Sequence, residues 1–425
     1  MVAPVPGWDS EGVIGLPGRP TFAPSPHSIE EPPIDKVEAT VPQPISGLDP
    51  DRLSHLRATI EADIEADRYF GAVIAVARHG ELGLSTHVGF GDQARTLPLA
   101  LDSVFSLFSL TKAFTNALVF RAIELGQFAL TTRVSEIIPE FGGGTRESVN
   151  FFHLLTHSSG LPPVWIPKPG MYIDRLDEII EAICQNIRSL GPPGERVHYS
   201  PLVHHALMGE AVRRADPKGR SFRELLQQEV LTPLGMKDTA IGLRKDLAER
   251  HVFPDFRGKP PQEHLGRSNL GPQGAFKEEH AEMPWVGGVS TVPDLFRFAE
   301  MLRRGGTLEG RRILSRAMLK LATKNWTGDK PNELYKGIAI NHGWEPYPAY
   351  IGLGFGLSGE KVCPNLFGTL TSPGTFGHYG SGSTLFWVDP ELDMTFVCLT
   401  AGVMQAAPNI ERFQRLSDIA ASAAL

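Results

Sequence analysis

Cysteine is scarce in this chain of 425 residues. The three present, Cys184, Cys363 and Cys398, are far apart and odd in number. That excludes a disulfide framework and a zinc knuckle, and it suits a reducing, cytoplasmic setting. Cys398 lies in the apolar run MTFVCLT and reads as an inert thiol in a buried strand. No apolar stretch reaches the ~18 residues of a membrane-spanning helix. The opening MVAPVPGWDSEG has neither a basic segment nor an apolar core, so no secretory signal is expected. No run of Lys and Arg forms a footprint for nucleic acid, and the net charge is −7. Gly-x-Ser-x-Gly is absent, which removes the nucleophile elbow of the α/β-hydrolases. The glycines of VGGVST lack the Gly-Lys-Ser/Thr of a phosphate loop, and Gly287 and Gly288 read instead as a place of close backbone approach. His153 and His157 are spaced i, i+4, but the glutamate of a zincin site is missing and they read as packing residues. No metal or cofactor is expected.

Proline, by contrast, is concentrated. Eleven of the 35 prolines fall in residues 1–50, where neither helix nor central strand can form. Residues 1–48 read as an extended arm, and packing of that arm on a second copy would make a homo-oligomer. The remaining length suggests two lobes. Apolar spacing predicts a helix over 49–68, then a hairpin over 70–92 around His79-Gly80-Glu81. Helical patterns fill 109–126 and most of 127–280, with a long polar loop over 256–280. Two more helices follow at 294–306 and in RRILSRAMLKLA. A strand, a turn at Asp389-Pro390 and a second strand occupy 376–402, and a helix closes the chain. Strands at both ends with helices between predict an α+β fold. One antiparallel sheet (49–108 and 285–425) would be flanked by helices, with a mostly helical lobe (109–284) inserted and the active site between the two.

One short segment carries the chemistry. In FSLTKAF, Ser109 and Lys112 stand one helical turn apart among Phe105, Leu107, Phe108, Ala113 and Phe114. A serine needs a base to attack at neutral pH, and a lysine serves as one when desolvation lowers its pKa. An amine buried among these apolar groups would be costly without a task. Downstream, HYSPL supplies Tyr199 and GHYGSG supplies His378, Tyr379 and Gly380. TRESVNFFHLLTHSSGLPP and PWVGGVSTVPDLFRFAEML lie between the nucleophile segment and the last of these.

These five motifs, in this order and spacing, resemble those of the β-lactamase-related serine hydrolases. The closest likeness is to the class C β-lactamase-type esterases known as family VIII carboxylesterases, and it runs from about residue 50 to the C-terminus. The resemblance implies the β-lactamase/transpeptidase-like fold. It implies Ser109 as acylated nucleophile, Lys112 as the residue that shares its proton and Tyr199 as general base. The N–H groups of Ser109 and Ser381 would form the oxyanion hole, with the His378-Tyr379-Gly380 strand edging the substrate. A positive Lys112 close to Tyr199 would lower the phenol's pKa towards use as a base.

Two departures bear on the substrate. Pro201 stands where β-lactamases place an asparagine amide, and His378 stands where a lysine binds a substrate carboxylate; at neutral pH His378 carries little charge. Both weaken recognition of penicillins and D-Ala-D-Ala peptides and leave ester chemistry intact. An ester or lactone hydrolase is therefore expected ahead of a β-lactamase or peptidase. An acyltransferase working through the same acyl-enzyme and a non-catalytic scaffold are the rivals. His204 and His205 read as helix surface and core filling. Trp165, and the aromatics Trp326, Tyr335, Trp344, Tyr347 and Tyr350 of a second loop region, could line a pocket. Trp165, Trp344 and Tyr350 are the substrate contacts expected, and the small-molecule partner is expected to be apolar or aromatic.

Overall fold

The computed structural model describes residues 47–256 and 278–425. The expected proline-rich arm therefore lies outside the described residues except for its end, as does most of the 256–280 loop. At that end Leu48 is buried and bridges to Ala424.

Six antiparallel strands form the main sheet, in the spatial order 81–89, 71–78, 394–401, 384–389, 376–380, 356–357. The first and last parts of the chain meet at its centre. Gly71–Arg78 pairs with Met394–Ala401 in the register Gly71↔Ala401 and Ala75↔Val397. The two-residue side-chain period splits these strands between two cores. Ala72, Ile74, Val76, Phe396 and Cys398 face the helices Pro50–Glu65 and Ala406–Ala421. Val73, Ala75, Val397 and Leu399 face the other way, towards a core that includes Leu295 and Phe298 of the helix Val292–Arg303. Both faces are covered, which is why FVCL reads as unbroken apolar sequence. Trp387 is buried on the first face with its indole N–H donated to Ser417 Oγ at 3.0 Å. The fold is α+β, with an antiparallel sheet from both ends of the sequence and helices between.

Three local expectations need correction. The stretch before Asp389-Pro390 is two strands, Phe376–Gly380 and Thr384–Asp389, because Ser381-Gly382-Ser383 turns the chain back. The helix in RRILSRAMLKLA begins only at Arg316, capped by Ser315, since Arg311–Arg312 pairs with Thr307–Leu308. A helix over Glu333–Asn341 was not foreseen; Asn332 caps it through its side chain. Among the described residues, no helix is long and apolar enough to cross a membrane.

Candidate active site

The Ser109 segment is held from two sides. Val104–Ser106 runs antiparallel to Gly288–Ser290, and Leu107 N–H donates to Gly288 O at 2.8 Å. Gly288 N–H returns a bond to Thr111 Oγ1 at 2.9 Å. A Cβ on Gly288 would meet that oxygen at 2.7 Å, so the close approach read from VGGVST requires glycine here. From the main sheet, Thr384 Oγ1 donates to Leu107 O at 2.8 Å. Phe108 then adopts φ +52°, a strained conformation for a bulky residue. A 3₁₀ turn over Phe108–Thr111 follows, and the α-helix proper starts at Lys112 and runs to Glu124. Ser109 therefore sits on the tight turn ahead of the helix, immediately after the strained residue.

Lys112 is fully buried. Its Nζ lies 2.9 Å from Ser109 Oγ and donates to Trp285 O at 2.9 Å. Burial with no carboxylate to repay it drives the lysine pKa far down, towards a neutral amine. The same Nζ stands 5.2 Å from the centre of the Tyr199 ring. Tyr199 hydrogen-bonds Ser109, yet burial pushes its phenol upward overall. Burial thus opposes the lowering of Tyr199 that a positive Lys112 would bring. The more burial favours the free amine, the less positive charge Lys112 offers a phenolate. Burial therefore favours the neutral form of each, an amine and a phenol.

Tyr199 is fixed through its backbone. Its N–H donates to Asn332 Oδ1 at 3.2 Å, and Ser200 N–H donates to His157 Nδ1 at 3.1 Å. His157 Nδ1 is thus an acceptor, which makes His204 the donor across their 3.0 Å Nδ1–Nδ1 contact. His204 Nε2 then accepts from Ser159 Oγ at 2.6 Å. The neighbouring His205 lies 3.0 Å from Asn116 Oδ1 through Nε2. Burial pushes all three imidazoles down, His204 to about 3. The reading of His204 and His205 as partly surface is corrected, since both are buried on the helix Val203–Ala215. His157 is the packing residue expected, with the further duty of holding the Tyr199 segment. The signal in the sequence was the polar cluster THSSG paired with a double histidine five residues past Tyr199.

Tyr199 and His378 also wall a cavity of about 120 Å³. Five of the seven tyrosines line it: Tyr199, Tyr335, Tyr347, Tyr350 and Tyr379. Among the described residues no Asp, Glu, Lys or Arg does so. His378 is buried, its Nδ1–H donated to Tyr379 O at 3.0 Å, and burial pushes it down to about 3. The cavity brings together Tyr199, His378, Tyr379 and Tyr350 of the expected set. It does not take in the two tryptophans. Trp165 is 46% exposed, and Trp344 borders a separate depression with Val362 and Gln414 while its ring meets His342 edge-on. Gly380 packs against the Ser109 segment, where a Cβ would meet Leu107 O at 2.1 Å. Ser381 follows it, exposed on the turn between strands. Among the described residues no group of His, Cys, Asp and Glu is arranged to hold a metal ion.

Residues 56–421 match the profile of the Beta-lactamase family. Esterase EstB of Burkholderia gladioli is 28% identical over 296 residues, covering 61% of this chain and 74% of its own. A penicillin-binding protein homologue from Caulobacter crescentus superposes with a TM-score of 0.71 at 26% identity, over 89% of this chain and 99% of its own. The crystal structure of a family VIII carboxylesterase does so at 0.69 and 22% identity, over 87% and 97%.

Proposed function

The chain belongs to the Beta-lactamase family, and from that premise we propose that it hydrolyses uncharged carboxylic esters or lactones through an acyl-enzyme on Ser109. The observation that carries this reading is a desolvated Lys112 Nζ 2.9 Å from Ser109 Oγ, beside a cavity that no described cationic side chain lines. Lys112 takes the Ser109 proton as Oγ attacks the carbonyl. The oxyanion accepts hydrogen bonds from the N–H groups of Ser109 and Ser381. Tyr199, kept a phenol by burial, gives its proton to the departing alkoxide and regains one from the Lys112 ammonium. Water then attacks the acyl-enzyme, its proton passes through the same pair, and Ser109 leaves reprotonated. This ordering makes Tyr199 first an acid, the reverse of the role that resemblance alone implies.

Pro201 supplies no amide to a β-lactam, and a neutral His378 supplies no charge to its carboxylate. The relative named as an esterase, EstB, supports the same side. The test is a paired rate assay with a short-chain p-nitrophenyl ester and a chromogenic cephalosporin, on wild type and Ser109→Ala. Ester turnover lost in the variant, with slow or no cephalosporin cleavage, is expected. Fast cephalosporin cleavage by the wild type would overturn the reading in favour of a β-lactamase.

A further inference from the structure

Two hydrogen-bond donors line the tyrosine cavity without a bond to any other described residue. Tyr335 O–H is buried and has no partner among the described residues. Buried hydroxyls are nearly always satisfied, so an idle one in a cavity wall points to something that occupies the space. Asn332 is the second. Its Oδ1 accepts from Tyr199 N–H at 3.2 Å and from Leu334 N–H at 3.1 Å. Those two bonds fix the orientation of the carboxamide, so its NH₂ is the end left for the cavity that the residue lines. Around these donors the wall is aromatic and aliphatic: Tyr347, Phe355, Leu357 and Tyr379 among others. The space, about 120 Å³, compares with the roughly 150 Å³ of an apolar cavity that holds one benzene. It suits a single ring. Tyr199, whose hydroxyl reaches Ser109, forms one side, so a ring lodged here lies beside the reacting carbonyl.

Resting on the esterase reading above, we propose that the preferred substrates are uncharged esters carrying one aromatic ring with a neutral hydrogen-bond acceptor, to which Tyr335 O–H and the Asn332 NH₂ donate. A ring bearing a carboxylate is disfavoured, because no described cationic side chain lines the cavity and burial favours the neutral form of both its histidines, His157 and His378.

The test compares kcat/KM within matched pairs. On the acyl side, methyl 4-methoxybenzoate is set against methyl 4-methylbenzoate and the 4-carboxylate analogue. On the alcohol side, 4-methoxyphenyl acetate is set against 4-methylphenyl acetate. In at least one arm the methoxy ester should exceed its methyl partner by about tenfold, the worth of one or two net hydrogen bonds. The arm that responds tells which half of the ester holds the ring. The carboxylate should be the poorest of its series. In Tyr335→Phe the methoxy-to-methyl ratio should fall to about threefold or less. A ratio near one in both arms of the wild type, or a ratio unchanged in Tyr335→Phe, overturns the inference and leaves the esterase reading standing. Wild-type protein that hydrolyses none of these esters and fails to label with a fluorophosphonate removes the esterase reading itself.

Discussion

Two walls of one site are built in opposite ways. The wall that carries Ser109 and Lys112 comes from four consecutive residues on a single turn. Strand pairing and glycine-sized gaps at Gly288 and Gly380 clamp that turn. The wall that carries the tyrosines draws on positions from 199 to 379, with a helix, a loop and a strand each giving a ring. The first is tightly satisfied: both the amine and the strand around it have partners. The second holds donors that no described residue engages. The difference separates two tasks. Proton transfer needs fixed distances and no water, which local geometry supplies. Selectivity needs a shaped space with unspent hydrogen bonds, which only distant segments can assemble.

The largest effect should come from breaking the first wall. Ser109→Ala should lower ester kcat by at least ~10³-fold, since the remaining groups act only with the nucleophile present. Lys112→Met should cost ~10²–10⁴-fold, the usual range for a general base. Thermal unfolding of this variant should show a Tm at or above wild type, because a desolvated amine is replaced by an apolar chain of similar length. A sharply lowered Tm would mean that the bonds to Trp285 O and Ser109 outweigh the burial cost.

Tyr199→Phe sharpens the assignment of roles. With Tyr199 as acid, the loss should be ~10²-fold or more for an ethyl ester, whose alkoxide needs a proton, and much smaller for a p-nitrophenyl ester. Equal losses on both would return Tyr199 to the part of base.

A smaller effect is expected at the hinge between the walls. His157 holds Ser200 N–H, and its own φ is +53°. His157→Asn keeps an acceptor and tolerates that backbone. His157→Ala does neither. We expect about a tenfold loss in kcat for the alanine variant, the scale of one net hydrogen bond plus strain, with fluorophosphonate labelling of Ser109 retained and activity partly restored in the asparagine variant.

The smallest change should be seen in pH profiles. With Lys112 as the base proposed, kcat/KM should rise with pH as the ammonium loses its proton, at a pH well below that of an ordinary lysine. His378 and His204, pushed down to about 3, are already neutral through the working range. His378→Asn should therefore leave the shape of the profile between pH 5 and 8 unchanged. A limb that disappears in this variant would show that the imidazole titrates during turnover.

Legibility in the sequence follows the same division. Ser109 and Lys112 could be read because i, i+3 spacing in an apolar run constrains local geometry whatever the fold. The central strands could be read because apolar runs of their length imply a covered sheet, and Cys398 lies where that reading put it, fully buried. Tyr199, His378 and Ser381 were reached through motif resemblance, not spacing, since nothing local ties residue 109 to residues 199 or 381. Aromatic density over 326–350 signalled a pocket but could not sort its members: Tyr335, Tyr347 and Tyr350 reach the cavity, and Trp344 does not. Trp165 gave the same signal from a loop that leaves it half in solvent.

What the sequence by itself determined is the chemistry on offer: a serine and a lysine on one turn, a sheet made from both chain ends, and no charged residue placed to hold a carboxylate in the third motif. Protonation states and selectivity were decided by the tertiary structure. A lysine becomes a base only when its surroundings exclude water, and a phenol stays a phenol for the same reason. Both depend on what the folded chain packs around those atoms, a property that no short stretch of sequence contains.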